Sequence, residues 1–180
     1  LVDTIDRCCS PMGARLLRSW LAMTVMDLEE LGARYDCVQY FVDNGEKLEE
    51  LRDLISKVGD LERIIGRMST GRVNPRDVIQ LSNALQAMVT IKQECMQAND
   101  ETLSQIGSRM ELCADIRDRI QREVYPDAPL QINRGNVIRE GVNTELDELR
   151  QMAFNGKEYL LHIQQREAEA TGIQSLKIGY

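Results

Sequence analysis

The sequence predicts an all-α protein, a multi-helix bundle with one long C-terminal helix, and three observations predict it. Apolar residues recur in steps of three and four along most of the chain, the period of one helix face. The 180 residues are 43% hydrophobic and 28% charged but only 4% aromatic. Leu, Met, Glu, Gln and Arg are plentiful, and such unbranched or γ-branched side chains lose little rotamer freedom in a helix. Helix start and stop residues fall between the periodic stretches. At most a short strand is expected near 137–138 and another at 176–180.

Ser10-Pro11 reads as an N-cap with proline in the first helical position, followed by Met12, Leu16, Trp20 and Met23 at helical spacing. Asp27-Leu28-Glu29-Glu30 offers a capping box for a second helix, ending near Val42. Asp43-Asn44-Gly45 signals a turn, and a third helix takes Leu48, Leu51 and Ile55 as its stripe. Gly59 stops it and Asp60 caps the next, whose apolar face is Leu61, Ile64, Ile65 and Met68. Ser69-Thr70-Gly71 ends that helix. Asn74-Pro75 then starts one carrying Val78, Leu81, Leu85, Met88 and Cys95, with a gap at Lys92. After Asn99-Asp100 a single helix is expected, with Leu103, Ile106, Met110, Cys113, Ile116 and Ile120 in phase.

From Tyr125 to Gly141 the pattern changes. Pro126, Pro129, Gly135 and Gly141 predict an irregular crossing, with Val137-Ile138 as the short strand. The last helix is expected from about Thr144 to Ala170, about 40 Å long. Leu146, Leu149, Ala153, Gly156, Leu160 and Ile163 stay in phase across Asn155-Gly156, although Asn-Gly is a hairpin signal. A close approach of another helix would explain the glycine. Thr171-Gly172 closes the helix. The expected organisation is a helical core over 1–124, a crossing over 125–141, the long helix over 142–175 and a strand start at 176–180.

The net charge of −7 makes the whole surface a poor partner for phosphate. Arg15 and Arg18, with Arg63, Arg67, Arg72 and Arg76, leave room for a local basic patch, although ion-paired helix surface is the plainer expectation. Cys8, Cys9, Cys37, Cys95 and Cys113 contain no C-x-x-C pair, and His162 is the sole histidine, so no zinc site is expected. Free, buried thiols in a reducing cytosol are expected instead. Phosphate loops, H-E-x-x-H and G-x-S-x-G are absent from the sequence. Glu145 and Asp147 read as ordinary helix N-terminal charges. No catalytic, cofactor-binding or metal-binding residue is therefore assigned. No apolar run is long enough to span a bilayer, and a cytoplasmic location is expected. The missing initiator Met and signal peptide suggest a piece of something longer.

Several stretches carry a resemblance. They are Ser10 to Leu21 (SPMGARLLRSWL), Val58 to Ile64 (VGDLERI), Gly71 to Asp77 (GRVNPRD), Gly135 to Gly141 (GNVIREG), Glu145 to Arg150 (ELDELR), Asn155 to Glu158 (NGKE), and Arg166 to Tyr180, which ends TGIQSLKIGY. In this order and spacing the chain resembles the MutS family of DNA mismatch-repair proteins, bacterial members above all. Two positions depart from the family's habit: Thr24 and Val25 stand where a proline is common, and Cys8 where threonine is.

The resemblance implies a place in the family's core, or lever, domain, with Leu176 to Tyr180 as the first strand entering a DNA clamp. It implies that mismatch reading and ATP hydrolysis, with ATP and Mg2+, belong to the parent protein outside these residues. Mismatched double-stranded DNA and a second subunit are the implied partners. The segment would couple ATPase to clamp, and Gly59, Gly71, Gly135 and Gly141 are the candidate hinges. No DNA-binding residue is assigned. The isolated segment is expected to self-associate through an apolar face left uncovered. The rival readings are a stand-alone helical protein-interaction module, a direct nucleic-acid binder using the arginines, and, with little support, an enzyme.

Overall fold

The computed structural model describes residues 2–173, 175 and 176. Side-chain and backbone caps set most helix starts. α1 (Val2–Ile5) is one turn. α2 (Pro11–Ala22) begins where the Gly13 amide donates to Ser10 Oγ at 3.1 Å. α3 (Leu28–Asp43) begins where the Glu29 and Glu30 amides donate to Asp27 Oδ1 at 2.8 and 3.3 Å. The Glu30 carboxylate pairs with Arg34 one turn on. Asn44 joins α3 to α4 (Gly45–Val58), its amide and its Nδ2 both donating to the Tyr40 carbonyl.

Gly59 ends α4 at φ +71°, in the left-handed half of backbone space that a Cβ penalises. Asp60 then caps α5 (Leu61–Ser69). Gly71, at φ +67°, turns the chain toward α6 (Pro75–Gln97). α6 opens with a reciprocal capping box. The Asp77 amide donates to Asn74 Oδ1, and the Asn74 amide returns a bond to Asp77 Oδ2.

α6 is the axis of the first compact unit, Leu1–Val137. α4, α5, α7 and α8 all pack against it. Val58, Ala84, Ile91, Cys95 and Leu103 form the buried centre, with Tyr40, Phe41, Leu51, Ile55 and Met88 packed around it. Burying a side chain such as Ile91 contributes roughly 1.5–3 kcal/mol. The expected stripe of α6 is displaced in part. Ala84 and Ile91 are buried, while Val78, Leu81 and Met88 are only half-buried. On α5, Ile64 is buried but Ile65 is exposed, so the expected face is narrower than drawn.

The single helix expected after Asp100 is two helices. α7 (Glu101–Arg109) and α8 (Ala114–Glu123) are separated by Met110–Cys113, and Cys113 sits at φ +44°. The Met110 carbonyl, which a continuing helix would pair with the amide of residue 114, instead accepts from Lys92 Nζ of α6 at 2.8 Å. The apolar period runs through the break undisturbed, so spacing alone carries no sign of it. The lysine that interrupted the α6 stripe is the residue that takes the freed carbonyl.

After α8 the chain is irregular. Tyr125 donates its amide to the Val137 carbonyl, a three-residue 3-10 turn covers Ile132–Arg134, and Ala128 is buried. The strand expected at 137–138 is no longer than a single bridge residue, Ile138.

The second unit, Ile138–Tyr180, is built on α9 (Thr144–Thr171), 28 residues long. Asn143 caps it, and Asp147 and Arg150 tie its entry segment down. Asp147 accepts from the Gly141 amide at 2.7 Å, and Arg150 donates to the Ile138 carbonyl at 2.8 Å. α9 runs unbroken through Asn155-Gly156. Among the described residues the close approach expected at Gly156 is absent, because nothing lies within 4 Å of where a Cβ would stand. The helix ends at Gly172, φ +71°. Leu176 is not in a strand, and the rest of the expected 176–180 strand lies outside the described residues.

Candidate functional site

The arginines are the first candidates, and the fold sorts them. Arg15 of α2 reaches the start of α5, where its Nη1 and Nη2 grip Asp60 at 3.0 and 2.7 Å and its Nε donates to Glu62 at 2.8 Å. Arg67 of α5 grips Asp77 of α6 through Nε and Nη2 at 3.0 and 2.6 Å. Both pairs are bidentate, the geometry that suits a planar guanidinium to a carboxylate. Hydrogen bonds from Arg15 hold the Asp60 carboxyl down at about 2, against the usual 3.8. The Arg67 guanidinium likewise lowers Asp77.

Arg63 and Arg72 complete the group. Together with Arg15 and Arg67 they line a shallow cleft open to solvent, to which Glu62, Gly66 and Thr70 also contribute. Arg18 stands apart on α2. Arg76 faces another opening, with Lys57 and Gln80. The two arginine groups seen in the sequence thus become one cleft of four, and two of the six expected arginines fall outside it.

Other long-range ties join helix to helix. Lys47 of α4 pairs with Glu94 of α6 at 2.9 Å. The Arg34 guanidinium lies over the Trp20 ring, 3.8 Å from its centroid, fastening α3 to α2. None of these pairs was foreseen. Their partners stand on different helices, and no local spacing links them.

Gly59 and Gly71 hold the positive φ described above, and Gly135 and Gly141 hold it too. At Gly59 a Cβ would meet only the end of the exposed Gln80 side chain, which can swing aside, so the positive φ is the constraint there. All the candidate joints are therefore positions where the backbone changes direction. The cysteines are unpaired, as expected, but only Cys95 is buried, and Cys8 is exposed. Burial pushes the Cys95 and Cys37 thiols up. His162 lies exposed on α9. Among the described residues no group of three or more His, Cys, Asp or Glu side chains is arranged to hold a metal ion. Among the same residues, no helix is long and apolar enough to cross a membrane.

Comparison with known proteins decides the family. The description MutS domain III matches residues 1–176. The chain belongs to the MutS family. Three relatives, each named DNA mismatch repair protein MutS, show the range of similarity. That of Bacteroides fragilis is 51% identical, that of Bacteroides thetaiotaomicron 49% and that of Flavobacterium johnsoniae 41%, each over the full 180 residues. The chain spans only 21% of the length of these MutS relatives. Three of the segments that carry the resemblance fall at structural corners of this MutS domain III, whereas NGKE lies within the unbroken α9. SPMGAR contains the α2 cap and Arg15, GDLER the α4 stop and Asp60, and NPRD the α6 capping box with Asp77.

Proposed function

We propose that this chain is the helical lever of a DNA mismatch repair protein, relaying motion between the part that hydrolyses ATP and the part that clamps DNA, with no catalysis of its own. The observation that carries this reading is α9, 28 residues without a break. Such a helix is about 40 Å long and keeps its length under load, because stretching it breaks successive backbone hydrogen bonds together. The names of the relatives support the mismatch-repair context.

Mismatched double-stranded DNA, a second subunit, and ATP with Mg2+ are then partners of the full-length protein, working in the cytoplasm. The residues here do not fit a nucleotide site. The sequence has no phosphate loop. A side-chain cap already takes an opening amide of α2, α3, α5, α6, α7 and α9, from Ser10, Asp27, Asp60, Asn74, Asp100 and Asn143, while α4 and α8 open without one. Nucleotide and DNA would each shift the populations of alternative helix packings, with Gly59, Gly71, Gly135 and Gly141 as joints.

The test uses the full-length protein. Gly156→Pro breaks α9 in its middle, at roughly 3 kcal/mol of helix propensity. Gly156→Ala leaves it intact, since the added methyl enters open space. Under the lever reading the proline variant still binds mismatched duplex and still hydrolyses ATP. It loses most of the acceleration of nucleotide exchange that mismatched duplex produces, and the alanine variant keeps it. Full acceleration in the proline variant would rule the lever out.

A further inference from the structure

The arginines gathered beside α5 are not all spent on ion pairs. Arg63, Gly66 and Arg67 fall at i, i+3 and i+4 on one face of α5, and Thr70, which caps the helix, follows them along the same side. Gly66 leaves the middle of that face bare, with nothing within 4 Å of where a Cβ would stand. Arg15 and Arg72 stand at its sides. The guanidiniums are not equally committed. Arg15 spends Nε, Nη1 and Nη2 on Asp60 and Glu62. Arg67 spends Nε and Nη2 on Asp77, leaving Nη1. The Arg63 side chain is 75% exposed and only grazes Asp60, at 3.4 Å. Arg72 is exposed and, among the described residues, has no ion pair.

We propose that this cleft is an ion-pairing socket for a carboxylate-bearing segment of the full-length polypeptide outside these 180 residues. The proposal rests on the reading of the chain as one part of a longer mismatch repair protein, its relatives being about five times its length. Charge complementarity selects the occupant. Four arginines face Asp60, Glu62 and Asp77, so a single positive charge is left over, with two guanidiniums largely uncommitted. That suits one or two carboxylates held bidentately. It does not suit nucleic acid, whose binding needs many phosphate contacts at once, on a chain of net charge −7 that also places Glu62 in the cleft. None of the lining residues is apolar, so the contact is a charged clasp between parts already tethered, where high effective concentration replaces a hydrophobic centre.

The experiment uses full-length protein carrying Arg63→Lys and Arg72→Lys, which keep the charge and add amines that a zero-length carbodiimide joins to touching carboxylates. Mass spectrometry then locates the bonds. The expected result is a crosslink from position 63 or 72 to an Asp or Glu outside these 180 residues, lost when that carboxylate is changed to its amide. Crosslinks confined to Asp60 and Glu62, or none, overturn the proposal. So does the combination of no such crosslink in the lysine variant with an Arg63→Gln, Arg72→Gln variant whose affinity for duplex DNA falls and whose salt dependence flattens, since that outcome makes the cleft a phosphate site. Failure here leaves the lever reading standing, because that reading is decided at Gly156 on the other unit.

Discussion

At the scale of single residues, the Asp60 carboxylate does two jobs. It caps α5 through the Arg63 amide, and it anchors Arg15 from α2. Its folded pKa of about 2 lies below the usual 3.8, with Arg15 as the leading cause. A depressed carboxylate contributes stability above its unfolded pKa and loses it as pH falls toward its folded one. Asp77, lowered by Arg67, has the same sign. The window is therefore acidic, from about pH 4 down to about 2. Asp60→Asn keeps a capping side chain but removes the ion pair. The variant is expected to melt lower than the parent at pH 7. The gap should close as pH falls through that window, as followed by circular dichroism. A gap that stays constant from pH 7 to 2 would show that the Arg15 pair contributes nothing.

Among helices, two glycines with the same local sequence meaning behave oppositely. Gly107 of α7 sits against α6, where a Cβ would stand 3.0 Å from Cys95 Cβ, 3.1 Å from Met96 Cγ and 3.2 Å from the Lys92 carbonyl. Part of that wall is backbone and cannot swing aside. Gly107→Val is expected to destabilise the chain by about 1–3 kcal/mol through overpacking. Gly156 of α9 faces open space, so Gly156→Ala is expected to stabilise by up to about 1 kcal/mol through helix propensity. Urea denaturation of both variants checks the pair. Equal effects of one sign would mean that helix propensity alone governs both sites. The α7–α8 break belongs to this scale as well, since Lys92 of α6 takes up the carbonyl at which α7 stops.

For the whole molecule, the apolar surface left in solvent matters most. Leu28, Tyr35, Val38 and Val42 fall on one face of α3, and all four are exposed. Met26 just before them is 92% exposed, and Phe154 on α9 is 74% exposed. Burying such groups against any apolar surface is favourable by about 25 cal/mol per Å². The isolated chain is therefore expected to self-associate, its weight-average mass in sedimentation rising with concentration. Replacing Met26 and Leu28 with serine should weaken that rise without changing helical content. A chain that stays monomeric at high micromolar concentration would show that these residues do not form an adhesive face.

The helical class and most helix starts were legible because their causes are local. A cap such as Ser10, Asp60 or Asn74 lies three residues from the amide it serves, and a glycine stop such as Gly59 depends on its own φ. The chain read alone therefore determined an all-α protein with a long final helix, and its ordered motifs carried the MutS resemblance. Only the tertiary structure decided which helix serves as the axis, where α7 stops, and which arginines share a cleft. Those outcomes rest on partners such as Arg15 and Asp60, or Lys92 and the Met110 carbonyl, that meet only when whole helices pack. Spacing along one helix holds no record of such meetings, because the energy that selects them lies between helices.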